Sequence, residues 1–136
     1  MGVLTIKLKN VTNLIDEDGL GRSDPYVKFE LEKDKWVFDK TLAKHTSSKK
    51  KNQCNPVYNE TFSFPNVPTT NNMKLHIHVM DDDVGLDDVL GLCTIDLEDL
   101  KLGEKPVAVD KLIQGKKAGW FSKEGRIFLE ISFLQD

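Results

Sequence analysis

Short alternations of apolar and polar residues recur along the chain and predict strands rather than helices. Leu4, Ile6 and Leu8 alternate with polar neighbours, the period of a strand with one apolar face. No segment keeps a long period of 3.6. Strands are expected at residues 4–8, 25–32, 36–48, 58–64, 74–80, 89–97, 107–113 and 127–133.

The connections between these strands carry turn-forming residues. A loop is expected at residues 10–22, which are rich in Asn, Asp and Gly, and another at residues 114–124. Pro65 and Pro68 are expected to end the fourth strand, because proline cannot donate to a strand ladder. Residues 96–100 are expected to form one helical turn.

Length and composition fit one domain, expected to span residues 1–136. The chain is 39% hydrophobic and 30% charged, which is ordinary for a globular protein. Eight short strands in one such domain predict an all-β fold, an eight-stranded antiparallel β-sandwich related to the Greek key. No run of about 18 apolar residues occurs, so any membrane contact is expected to be peripheral.

Charge is distributed unevenly, although the net charge is only −3. Acidic residues cluster at 16–24 and 81–88, whereas Lys44 and the run at 49–51 are basic. Both acidic clusters lie on connections between predicted strands. One short lysine run beside two acidic clusters makes a poor track for a phosphate backbone, so nucleic acid is not expected as a partner.

The acidic connections favour a cation of the calcium type. Neighbouring carboxylates about 4 Å apart repel by about 4 kcal/mol at an effective dielectric of 20. Calcium accepts 6–8 oxygen ligands in flexible geometry, whereas zinc prefers nitrogen or sulfur. No His or Cys stands at ligand spacing near these clusters.

An EF-hand is excluded by its ligand spacing. A loop that started at Asp16 would need a glutamate at its twelfth position, where the chain has Val27. A loop that started at Asp81 would have Leu92 there. No flanking helices are predicted either.

Four segments, in order along the chain, resemble the C2 domain, a calcium-dependent lipid-binding module. They are residues 18–28 (DGLGRSDPYVK), similar to its first calcium loop; 55–62 (NPVYNETF), similar to its central strand; 81–91 (DDDVGLDDVLG), similar to its third loop; and 125–133, similar to its last strand. Because the chain begins on the strand before the first loop, it resembles the phospholipase-type (type II) arrangement.

The resemblance implies a set of metal ligands. The five carboxylates that it implies are Asp18, Asp24, Asp81, Asp83 and Asp88. Backbone carbonyls of Glu17 and Asp82 are implied as further ligands. The loop between Asp83 and Asp88 is one residue shorter than in the commonest members, which leaves Asp87 as an alternative to Asp88. Two Ca²⁺ ions are expected, with one or three as alternatives.

Two further groups of residues are candidates for lipid contact. Leu20, Val84 and Leu86 lie among the acidic residues and could insert into a membrane or pack on the edge of the sandwich. Some family members bind phosphoinositide headgroups through the part of the chain that is basic here. The corresponding lysines are Lys44, Lys49, Lys50 and Lys51, for which a solvated surface is the alternative.

The function implied is calcium-dependent binding to anionic phospholipid, either phosphatidylserine or phosphoinositide. The chain is expected to act as a monomeric membrane-targeting and signalling module, recruited reversibly from the cytoplasm, with protein partners left open. The alternative is a calcium-independent protein-interaction module on the same fold. Clustered aspartates with metal could also hydrolyse phosphoryl groups. The chain has no G-x-S-x-G motif or Walker loop, and an enzyme is not expected.

Overall fold

A computed structural model describes residues 1–14, 24–33, 40–82, 87–115 and 125–136. Within these ranges the chain forms eight β-strands and one short 3₁₀ turn. In chain order they are β1 (Gly2–Thr12), β2 (Pro25–Lys33), β3 (Lys40–Thr46), β4 (Val57–Val67), β5 (Met73–Asp81), β6 (Asp88–Asp96), the 3₁₀ turn (Glu98–Leu100), β7 (Val107–Gly115) and β8 (Gly125–Gln135). The predicted helical turn is therefore confirmed in a shorter form.

All strand pairs are antiparallel and form two sheets that meet at β7. One sheet has the order β4-β1-β8-β7 and the other the order β3-β2-β5-β6. The last residues of β7 also pair with β6, Gly115 with Gly91 and Gln114 with Leu92. A Cβ on Gly91 would lie 2.1 Å from Cγ2 of Ile113, so this close approach requires glycine. The predicted all-β antiparallel sandwich is confirmed.

The core lies between the two sheets and follows the predicted alternation. Along β5, Leu75, Ile77 and Val79 are fully buried, while His76 and His78 between them are only half-buried. The largest fully buried side chains are Phe29 of β2 and Phe64 of β4. Each fully buried Val, Leu, Ile or Phe side chain contributes about 1.5–3 kcal/mol. The core therefore holds the strands in one register.

The fourth strand is longer than predicted, and the expectation that Pro65 ends it is wrong. β4 continues through Pro65 to Val67. β4 is the last strand in the sheet order, and proline is tolerated on such an edge because one side of the strand needs no donor. The ladder with β1 is irregular there: Leu4 pairs with Phe64 but Gly2 with Val67.

Strand register brings the strand ends that flank the two acidic connections to the same end of the sandwich. The first connection enters β2 at Pro25, and the second joins β5 to β6. Pro25 pairs with Asp81, which pairs with Asp88. The phospholipase-type (type II) arrangement stays a prediction.

Leu129 and Leu134 of β8 provide a matched test of the core. Leu129 is 1% exposed and Leu134 is 55% exposed. Leu129→Ala should lower the free energy of unfolding by about 2–5 kcal/mol, since it removes buried methyl groups and leaves a cavity. Leu134→Ala should change it by no more than about 0.5 kcal/mol. Urea unfolding of both variants measures the difference, and equal losses would contradict the register of β8.

Candidate functional site

Asp81 and Asp88 lie directly opposite each other where β5 and β6 meet. Directly opposite residues of an antiparallel pair project from the same face of the sheet. Val79, two residues before Asp81, is fully buried, so Asp81 and Asp88 continue a core-facing row beyond the end of the hydrophobic core. Like charges in this position destabilise the sheet unless a cation is present.

Asp24 is attached to this pair of strands by its backbone. Its N–H donates to Oδ1 of Asp81 at 2.9 Å, and the N–H of Asp82 donates to its carbonyl oxygen at 3.1 Å. Oδ1 of Asp24 accepts a hydrogen bond from the N–H of Asn52 at 2.8 Å. Carboxylates that bind metals are themselves oriented by such hydrogen bonds. Asp24 and Asp81 are therefore held side by side in defined orientations.

Asp87 makes a different contact from its neighbour Asp88. Its Oδ2 accepts a hydrogen bond from the hydroxyl of Tyr26, a residue that is only 6% exposed. Burial, followed by this hydrogen bond, raises the pKa of Tyr26 to about 12. The Tyr26 hydroxyl therefore keeps its proton, and remains a donor to Asp87, at every physiological pH.

The segment that carries the basic run is hydrogen-bonded to the start of β2. Two hydrogen bonds join Ser47 and Val27: the Ser47 N–H donates to the Val27 carbonyl and the Val27 N–H donates to Ser47 Oγ, both at 2.8 Å. The Lys50 N–H donates to the carbonyl oxygen of Pro25 at 3.0 Å, and the Tyr58 hydroxyl donates to the same oxygen at 2.7 Å. The basic run thus lies beside the acidic end of the sandwich.

Lys49 makes a salt bridge with the acidic end. Its Nζ lies 3.1 Å from Oδ1 of Asp82 and 5.4 Å from the ring centroid of Tyr26. The Lys49 side chain is 52% exposed, and such surface pairs contribute at most about 1 kcal/mol. The pair therefore contributes little to the stability of the fold, and its main effect is to offset the negative charge of Asp82.

The four predicted lysines lie on two different segments. Lys50 lies over the ring of Tyr58, with its Nζ 5.7 Å from the centroid, and Lys51 is exposed in the same segment. Lys44 is instead on β3, opposite Glu30 of β2. The pKa of Glu30 is lowered mainly by a hydrogen bond from the Thr41 hydroxyl, with a smaller effect from the charge of Lys44.

Six residues of the predicted site lie outside the described residues: Glu17, Asp18, Leu20, Asp83, Val84 and Leu86. In the part of the chain that the structure describes, no three His, Cys, Asp or Glu side chains are close enough to hold a metal ion. The structure therefore brings three predicted ligands, Asp24, Asp81 and Asp88, to one end, without completing a cage from them alone. No helix in the described ranges has the length and apolarity to cross a membrane.

Sequence reasoning missed three residues that shape this end: Tyr26, Ser47 and Asn52. Tyr26 stands inside a motif quoted above, but its partner Asp87 is 61 residues away. Asn52 has a positive φ of 53°, a conformation that asparagine tolerates better than most residues. An asparagine just after a lysine run was therefore a weak signal for a turn. Nothing in the sequence indicated that its N–H reaches Asp24.

The family model of the C2 domain matches residues 2–112. The chain belongs to the C2 domain family. Human (Homo sapiens) synaptotagmin-9 is 42% identical over 105 residues, which cover 75% of this chain and 20% of the relative. Synaptotagmin-3 of Arabidopsis thaliana is 34% identical over 139 residues, which cover 98% of this chain and 24% of the relative. The chain therefore spans a quarter or less of these relatives.

Solved structures agree on the fold. A C2 domain of plant extended synaptotagmin 1 superposes with a TM-score of 0.82 at 22% identity and covers 99% of this chain and 95% of that domain. Human GIVD cytosolic phospholipase A2 superposes with a TM-score of 0.77 at 21% identity, and the match covers 99% of this chain and 17% of that chain. Family and relatives together support a membrane-targeting C2 module in general terms.

Ser47 provides a test of the attachment between the basic segment and β2. Ser47→Ala should lower the free energy of unfolding by about 1–3 kcal/mol, because it leaves the N–H of buried Val27 without its acceptor. Ser63→Ala on the exposed face of β4 is the control and should be nearly neutral. Thermal and urea unfolding of both variants measure the effect. A neutral Ser47→Ala would contradict this hydrogen bond.

Proposed function

We propose that this C2 domain binds calcium at the acidic end of the sandwich and thereby docks reversibly on anionic phospholipid at the cytoplasmic face of a membrane. The proposed ligands are Asp18, Asp24, Asp81, Asp83 and Asp88. The carbonyls of Glu17 and Asp82 are proposed to contribute as well, with two ions as the proposed stoichiometry. The proposal assigns the domain no catalytic residue.

The observation that carries the proposal is the pairing of Asp81 with Asp88, with Asp24 bonded to Asp81. Two carboxylates directly opposite each other repel, so without a cation the pair destabilises the sheet. The donors are hard carboxylate and carbonyl oxygens, which suit calcium better than zinc. The site is only partly exposed at Asp24, Asp81 and Asp88, so screening by water there is incomplete.

Charge reversal explains how such a site could reach a membrane. The aspartates by themselves repel an anionic leaflet, whose surface potential is about −30 mV. Bound calcium supplies positive charge and open coordination positions for oxygens of the lipid headgroup. Leu20, Val84 and Leu86 are proposed to insert, each able to contribute on the order of 1.5–3 kcal/mol when fully buried.

For the lysines we propose general attraction to anionic lipid. Lys49 is already paired with Asp82, and Lys44 lies opposite Glu30 on a different strand. These contacts neutralise part of the charge that a phosphoinositide headgroup would need from four converging lysines. Phosphoinositide recognition is the more specific alternative, and comparison of two lipids tests it.

Vesicle sedimentation tests the calcium-dependent function. The domain should pellet with phosphatidylserine vesicles in calcium and stay in the supernatant when a chelator is added, because the charge reversal requires the ion. Asp81→Asn should abolish calcium-dependent pelleting, since it removes one of the paired carboxylates.

The control is Asp96→Asn at the opposite end of β6, where Asp96 pairs with Lys74. It removes the same charge and should leave pelleting unchanged. Pelleting that ignores the chelator would remove the calcium switch and favour a calcium-independent interaction module. Equal effects of the two substitutions would show that net charge, not the site, controls docking.

The triple substitution Lys49→Ala, Lys50→Ala and Lys51→Ala tests the basic run. Each lysine near an anionic surface contributes about 1 kcal/mol, so binding should weaken similarly on phosphatidylserine and phosphoinositide vesicles. Lys105→Ala, an exposed lysine before β7, should have little effect. A loss confined to phosphoinositide vesicles would contradict general attraction and establish headgroup recognition.

A further inference from the structure

We propose that Tyr26 and Asp87 form a positioning pair that keeps Asp87 out of the metal site and reserves Asp88 as the ligand. This inference rests on the proposed calcium site and assigns a role to two residues next to it. Asp88 is the first residue of β6 and pairs with Asp81, whereas the adjacent Asp87 precedes the strand.

The two aspartates have different partners. Asp88 lies opposite Asp81, on the face that carries the buried Val79. Asp87 precedes the first residue of β6, and its Oδ2 accepts a hydrogen bond from the hydroxyl of Tyr26. Tyr26 is on the other face of the sheet: it pairs with Met80, whereas its neighbour Val27 pairs with Val79 of the core row.

Tyr26 is a buried residue whose hydroxyl is hydrogen-bonded to Asp87. Tyr26 is 6% exposed and lies on β2, which pairs with β5 over its whole length. Its ring is also covered by Lys49, whose Nζ is 5.4 Å from the centroid. A hydrogen bond from this rigid hydroxyl to Oδ2 of Asp87 therefore holds the end of the acidic connection against the sheet.

Holding Asp87 in this way affects its neighbour through the backbone. With the Asp87 side chain fixed on the outer face, the first residue of β6 has its side chain directed to the inner face before any ion arrives. Ordering that precedes binding lowers the conformational entropy lost on binding. The pair also keeps the negative charge of Asp87 close to the site without making Asp87 a ligand.

Calcium titration calorimetry on single and double variants tests the pair. Tyr26→Phe changes no charge and should weaken calcium binding by about tenfold, the size typical of residues that orient a metal ligand. Asp87→Ala should weaken it at least as much. Tyr26→Phe in the Asp87→Ala background should add less than about a twofold change, because both remove the same interaction. Asp87→Asn keeps an acceptor oxygen and should restore most of the affinity lost in Asp87→Ala.

Two controls separate positioning from stability and from ligation. Tyr58→Phe removes another buried tyrosine hydroxyl, one that donates to Pro25, and should lower the melting temperature in chelator without a tenfold loss of calcium affinity. Asp88→Asn should lose calcium binding as severely as Asp81→Asn.

The outcomes distinguish this inference from the proposed function. If Tyr26→Phe binds calcium like the native protein while Asp81→Asn does not, the positioning pair is wrong and the calcium site stands. If Asp87→Asn abolishes binding and Asp88→Asn does not, Asp87 is the ligand and the assignment is reversed. If the native domain binds no calcium, the site and the pair are both wrong.

Discussion

The register between β5 and its two neighbours controls the geometry of the acidic end. It aligns Pro25, Asp81 and Asp88 in one row across three strands. The fully buried residues of β5 specify that register, because a slip by one residue would move Leu75, Ile77 and Val79 to the solvent face. Packing in the core thus holds two mutually repulsive carboxylates, Asp81 and Asp88, opposite each other at the end of the sandwich.

The start of β2 is held by hydrogen bonds to the basic segment. Lys50 bonds to Pro25, Ser47 twice to Val27, and Asn52 to Asp24, which precedes the strand. Two of these four hydrogen bonds join backbone to backbone, and none of the four uses a lysine side chain. The position of the basic run is therefore a structural property of the strand edge, and the charge of its lysines can serve another purpose.

Four carboxylates at this end have described partners. Lys49 faces Asp82, the Tyr26 hydroxyl donates to Asp87, and backbone donors reach Asp24 and Asp81. The hydrogen bonds hold their carboxylates without neutralising them, and only Lys49 offsets negative charge. A fold that retains aspartates in this way is suited to the proposed calcium site, in which an ion would offset the repulsion that remains.

Local patterns in the sequence were enough to predict the strands, the sandwich and the C2 family, because alternation at period two and the order of motifs can be read along the chain. They also predicted that the aspartates lie on two connections, whereas Asp81 is the last residue of β5 and Asp88 the first residue of β6. The pairing of the strands in three dimensions was needed to show that β4 continues through Pro65, that Lys44 lies opposite Glu30, and that Asp87 accepts a hydrogen bond from Tyr26. Each of these depends on edge position or on partners distant in the chain, which are set by how the strands pair and not by local pattern.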